Sequence, residues 1–148
     1  MYGLLPTGIH QGTQDSFPFL QFYNRVSHLS HHEVTQVQKQ SQVLLLLVNN
    51  TPNAKGIITG KFFEYMAAKR PVLCIGPVGG DVDSILKETH AGLLADYDDA
   101  ATLEKNILYY YNKYKAGNLV SESVNTEKYS RKMLTGEISN VLNTISSR

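Results

Sequence analysis

One cysteine, almost no net charge and no long apolar run are the shortages that narrow this sequence. A lone Cys74 cannot build a disulfide framework. It lies in an apolar, strand-like stretch, so it reads as a buried, reduced thiol rather than a nucleophile, and it fits a reducing compartment. Fourteen Lys and Arg against thirteen Asp and Glu leave a net charge of +1. That is too little to draw the chain toward nucleic acid or an anionic membrane surface. The aliphatic run Val43 to Val48 is six residues long, against the roughly 20 needed to span a bilayer. No signal-peptide pattern opens the chain, and neither an internal repeat nor a low-complexity tract interrupts it.

What remains is the composition of an ordinary globular domain. A chain of 148 residues buries roughly two-thirds of its unfolded surface, enough for a core without covalent staples. Residues 1–18 mix Gly, Pro, Thr and Gln without periodicity and read as a lead-in loop or the end of a truncated helix. Residues 19–148 alternate strand and helix signals. Phe19 to Tyr23 reads as a strand. Ser30 and Glu33 have capping-box spacing, predicting a helix to about Gln40 with Val34 and Val37 inward. Val43 to Val48 is continuously apolar, as in a parallel strand covered on both faces. The pattern then predicts a loop over Asn49–Thr59, a helix over Gly60–Lys69, a strand over Pro71–Ile75, a turn over Gly76–Gly80 and a helix over Asp81–Thr89. A strand over Gly92–Ala95 follows. A helix capped by Asp98 or Asp99 should bury Leu103, Ile107 and Tyr111, leaving the neighbouring tyrosines 109, 110 and 114 at the surface. A final helix spans about 126–145 with one apolar face from Tyr129 to Ile145. This order predicts an α/β fold with a mostly parallel, Rossmann-like sheet flanked by helices.

In such sheets ligands bind beyond the carboxyl ends of the strands. Two glycine-bearing segments leave strands at that edge, Asn49–Gly60 and Gly76–Gly80. Each runs into a helix whose first amides favour an anion; each also suits a plain strand-to-helix turn. Gly56, Gly60, Gly79 and Gly80 are the positions where a side chain would obstruct backbone approach. The segment from Lys55 to Lys61 is not a phosphate-binding P-loop. Gly56 and Gly60 bracket three residues instead of four, and Phe62 stands where Ser or Thr should hold magnesium. By position alone, Glu64 complements the helix dipole or accepts hydrogen bonds from vicinal hydroxyls. His28, His31 and His32 have no recognised zinc spacing, so no metal site is expected, and a nucleic-acid stacking platform is not expected from the tyrosines.

The run Lys55-Gly56-Ile57-Ile58-Thr59-Gly60-Lys61-Phe62-Phe63-Glu64-Tyr65-Met66-Ala67-Ala68-Lys69-Arg70-Pro71 resembles the donor-binding segment of nucleotide-sugar glycosyltransferases with two Rossmann-like domains (the GT-B type). The resemblance extends from about Phe19 to the C-terminus. It implies that the chain is part of the C-terminal, donor-binding domain of an enzyme moving a sugar from a nucleotide-diphosphate donor to an acceptor saccharide or lipid-linked saccharide. It assigns Glu64 to the ribose. Gly56, Thr59, Gly60, Lys55, Lys61, Gly79 and Gly80 become the candidates for donor contacts, with no further cofactor. A second glutamate common in that family is missing here, since no carboxylate occurs between Asn49 and Lys61. The resemblance further implies two absent strand–helix units and an absent acceptor domain carrying the catalytic base. From this follow an inactive isolated piece that tends to self-associate, and a cytoplasmic full-length enzyme peripheral to the inner membrane face. A non-catalytic nucleotide-binding module and a sugar-nucleotide epimerase fragment are the alternatives.

Overall fold

The computed structural model describes Asn24, Val26 and residues 28–146. The chain divides into a leading unit, Met1–Ser30, and a main unit, His31–Arg148; every described helix and strand belongs to the second. The lead-in and the strand expected over Phe19–Tyr23 lie outside the described residues.

The main unit runs α1 (His31–Gln40), β1 (Leu44–Leu47), a 3-10 turn (Ala54–Gly56), α2 (Gly60–Ala67), β2 (Val72–Ile75), α3 (Asp81–Thr89), β3 (Gly92–Ala95) and α4 (Ala100–Lys115). A second 3-10 turn (Thr126–Tyr129) and α5 (Arg131–Ser146) complete it. The three strands form one parallel sheet in the order β1-β2-β3, with Leu44 opposite Val72 and Val72 opposite Gly92. The molecule is therefore α/β with a helix-flanked parallel sheet, the Rossmann-like arrangement the alternation predicts.

One sheet face carries the core. Leu46, Val48, Val72 and Cys74 point toward Phe62 and Met66 of α2 and toward Val82, Ile85 and Leu86 of α3. Phe62, Val72 and Cys74 are fully buried. The opposite face is covered by α4 over β3 and β2. There the Tyr110 hydroxyl donates to the Val72 carbonyl at 3.2 Å and the Asn106 amide donates to the Leu94 carbonyl at 3.3 Å.

Four expectations are corrected by this packing. β1 is covered on one face only: Leu44 and Leu46 are buried, whereas Leu45 and Leu47 stand 52% and 60% exposed, because α4 stops short of β1. In α1, Val37 is exposed and Gln38 is buried, its amide turned to Glu64. In α4, the inward residues are Asn106 and Tyr110, with Ile107 and Tyr111 exposed. A helix turns by about 100° per residue, so reading the stripe one position late points it away from the sheet. The last helix is interrupted: Asn125 is left-handed, Ser130 is extended, and α5 begins only after Ser130, whose Oγ accepts from the Met133 amide at 3.3 Å.

Candidate functional site

The carboxyl ends of β1, β2 and β3 open into three segments that are stitched together. From the third, the Tyr97 hydroxyl donates to the Asn49 carbonyl of the first at 3.1 Å. Asp96 Oδ2 accepts from the Val78 amide of the second at 3.2 Å, and its Oδ1 accepts from the Tyr97 amide at 2.8 Å. Burial and the neighbouring Asp96 charge push the Tyr97 hydroxyl up, so it stays protonated and donates. The second and first segments meet at Gly80. A Cβ there would lie 3.0 Å from the Lys55 carbonyl oxygen and 3.1 Å from its Cα. A side chain there would push the two backbones apart by a few tenths of an ångström, so glycine gives their closest approach.

The two helix starts expected to receive an anion differ. At α3, the Gly79 amide donates to Asp83 Oδ2 at 2.8 Å, and Lys87 reaches the same oxygen at 2.8 Å. The Gly80 amide is turned back to the Pro77 carbonyl. Gly79 sits at φ +74, a conformation suited to glycine. Burial pushes the Asp83 carboxyl up, but the hydrogen bonds from Lys87 and Gly79 and the Lys87 charge outweigh it and hold the group below its ordinary range. The chain's own carboxylate thus occupies the position an external anion would take, with Asp81 beside it in the same turn.

At α2 the first turn holds no acidic residue, and its N-cap, Thr59, makes no side-chain capping hydrogen bond. A Cβ at Gly56 or at Gly60 would meet nothing within 4 Å, so space stands in front of the backbone. Lys55 and Lys61 are exposed on either side and Thr59 is half-buried. Glu64 lies one turn into α2, exposed, with its Oε2 accepting from Gln38 Nε2 at 3.3 Å. A carboxylate offers about four lone-pair positions, so this contact orients it and leaves acceptor capacity.

The structure therefore brings Lys55, Gly56, Thr59, Gly60, Lys61 and Glu64 to one rim. Gly79 and Gly80 form the adjoining turn, where their amides are already engaged. Asp83, Asp96, Tyr97 and Gln38 were not singled out from the sequence. For Asp96 and Tyr97 the signal was present, since both immediately follow β3 at the binding edge. No group of three His, Cys, Asp or Glu side chains gathers to hold a metal among the described residues, and none of their helices is long and apolar enough to cross a membrane. A hollow of about 240 Å³ lies at the opposite, amino-terminal rim between Leu86, His90, Tyr109 and Lys113. It is away from the loops, and its Lys113 is paired with Glu122. No family model, no curated protein and no solved structure matches this chain.

Proposed function

We propose that this chain is the donor-binding part of a glycosyltransferase, holding the nucleotide of a nucleotide-diphosphate sugar at the start of α2. The observation that carries the reading is the asymmetry between the two helix starts. The α3 end is filled by Asp83, whereas the α2 end has open glycines, no acidic first turn and an exposed, oriented Glu64 one turn away. In this reading the diphosphate lies on the first amides of α2 after Thr59, attracted by the positive end of the helix, while the Gly56 and Ile57 amides are turned to the Asn53 and Ala54 carbonyls. Glu64 accepts from the ribose hydroxyls, a charge-assisted contact. Lys55 and Lys61 supply positive charge at the mouth, and Thr59 meets the sugar. Gly80 keeps the Lys55 loop close to the neighbouring turn. The acceptor and the catalytic base belong to another part of the enzyme. Helix-end stabilisation of the leaving phosphate is an electrostatic contribution that this rim can make.

A non-transferring nucleotide-binding module is the second reading, favoured by the lack of any carboxylate between Asn49 and Lys61. Both readings require nucleotide binding; sugar transfer by the longer enzyme separates them. Titration calorimetry of the chain with a nucleoside diphosphate is the first test. Glu64→Ala should weaken binding by about 1.5–3 kcal/mol, the worth of a hydrogen bond to a charged group, with circular dichroism unchanged. Equal affinity in the variant would reduce Glu64 to a helix-dipole residue, and no binding by the parent chain would sink both readings.

A further inference from the structure

We propose that the cavity between the α2–β2 connection and the segment 120–127 binds a small sugar phosphate. Lys69 and Arg70 of the connection and the side chains of that segment line a hollow of about 450 Å³. Small-molecule pockets span roughly 300–1,000 Å³ and are mostly apolar. Here Val120 is the one aliphatic member, and the rest are two cations, three hydroxyls and a carboxylate. A ligand matched to that lining carries both negative charge and hydroxyls. The cavity is separate from the nucleotide rim. Lys69 follows the carboxyl end of α2, and an eight-residue helix sets it about 12 Å from the start of α2.

Both cations keep their charge uncancelled. Neither Lys69 nor Arg70 has an ion-pair partner among the described residues. Arg70 is half-buried and its fork is preset: Nε donates to the Ser41 carbonyl, and Nη2 donates to Gln42 Oε1 at 3.4 Å. Both acceptors are neutral, and a guanidinium has five N–H donors, so three are left for a ligand. A planar fork of this kind suits the oxygens of a phosphate. The carboxyl end of α2 carries about half a negative charge. Lys69, left-handed at that end, more than offsets it, and Arg70 remains in excess.

The other wall supplies the hydroxyl contacts. Ser121 Oγ donates to Ser123 Oγ at 3.0 Å, which leaves the Ser123 hydrogen to donate elsewhere. The Thr126 hydroxyl and the Glu127 carboxylate line the same hollow. Glu127 decides the ligand class. Its charge opposes a bare anion, but a carboxylate accepts strong hydrogen bonds from sugar hydroxyls. The wall is fastened on both sides of these residues. The Val124 amide donates to the Thr89 carbonyl at 2.8 Å, and the Tyr129 hydroxyl donates to Glu88 Oε2 at 2.8 Å.

Amide NMR of the full 148-residue chain, titrated separately with glucose 6-phosphate and inorganic phosphate, tests this. Glucose 6-phosphate should give saturable shifts at Lys69, Arg70, Ser121, Ser123 and Thr126. It should bind about tenfold more tightly than inorganic phosphate, since the hydroxyl contacts add the worth of a hydrogen bond or more. Lys69→Gln, at an exposed position, should weaken it about tenfold by the loss of one charged contact, with circular dichroism unchanged. Three results would each overturn the proposal: no saturable shift at these residues, equal affinity for inorganic phosphate, or unchanged affinity in Lys69→Gln.

Discussion

At the residue scale, the informative side chains are those whose charge is used inside the fold. Asp83 is 3% exposed, a burial that an aspartate tolerates only when paired and hydrogen-bonded. Lys87 and the Gly79 amide provide that. Its carboxyl is held below the ordinary value of about 3.9, so the folded state binds its proton less readily than the unfolded one. The stability this contributes is complete above the unfolded pKa and is lost as pH falls through the folded one. Asp83→Asn should therefore cost on the order of 2 kcal/mol at pH 7, and the gap to the parent chain should shrink below about pH 4. Urea denaturation at pH 7 and pH 3 measures both. An equal gap at the two pH values would mean that charge is not what Asp83 contributes. Cys74, beneath the same turn, is pushed up to about 12 by burial and by the Asp83 charge. It is therefore a neutral, inert thiol, as the apolar run around it implies.

At the element scale, the crossings between strands are set by small residues at particular places. Gly92 opens β3 against β2, and a Cβ there would lie 2.1 Å from the Val72 carbonyl oxygen and 2.8 Å from its carbonyl carbon. These are backbone atoms of the central strand and cannot yield as a side-chain tip would. Gly92→Ala should cost at least about 3 kcal/mol, at the upper end of overpacking penalties. Gly56→Ala, with nothing within 4 Å, should stay within about 0.5 kcal/mol, as surface substitutions do. A similar urea midpoint for the two variants would show that β3 can shift without loss. The same elements show what local pattern can reveal. α3 and β3 fall where the sequence places them, because Gly79-Gly80 and the left-handed His90 punctuate them sharply. α2 ends two residues earlier than expected, since Lys69 is left-handed and Arg70 precedes a proline. The inward stripes of α1 and α4 were not legible. Gln38 and Asn106 are buried through hydrogen bonds to residues remote in sequence, and a count of apolar positions cannot see those partners. In the candidate site, the glycines were legible from spacing, whereas Glu64 was assigned to the site by the resemblance, its position alone fitting a helix-dipole residue as well. The filling of the α3 end was not legible, because it depends on which oxygen Asp83 turns toward Gly79.

At the scale of the whole molecule, cohesion is concentrated around the central strand. β2 is hydrogen-bonded on both sides, to β1 and to β3. Its Val72 and Cys74 lie in the fully buried core, and Tyr110 and Arg70 fasten its approaches, the latter to the Ser41 carbonyl. α5 is the opposite case, with every described residue exposed. Local opening needs little free energy where few apolar contacts are lost and as much as global unfolding where the core must part. Amide exchange should therefore be slowest in β2, intermediate in α3 and fastest in α5 when the chain is dilute. Mass-spectrometric exchange reads all three segments in one experiment. If α5 in the dilute chain were as protected as β2, its apolar face would already be covered within the monomer, and the hierarchy built here on the central strand would be wrong.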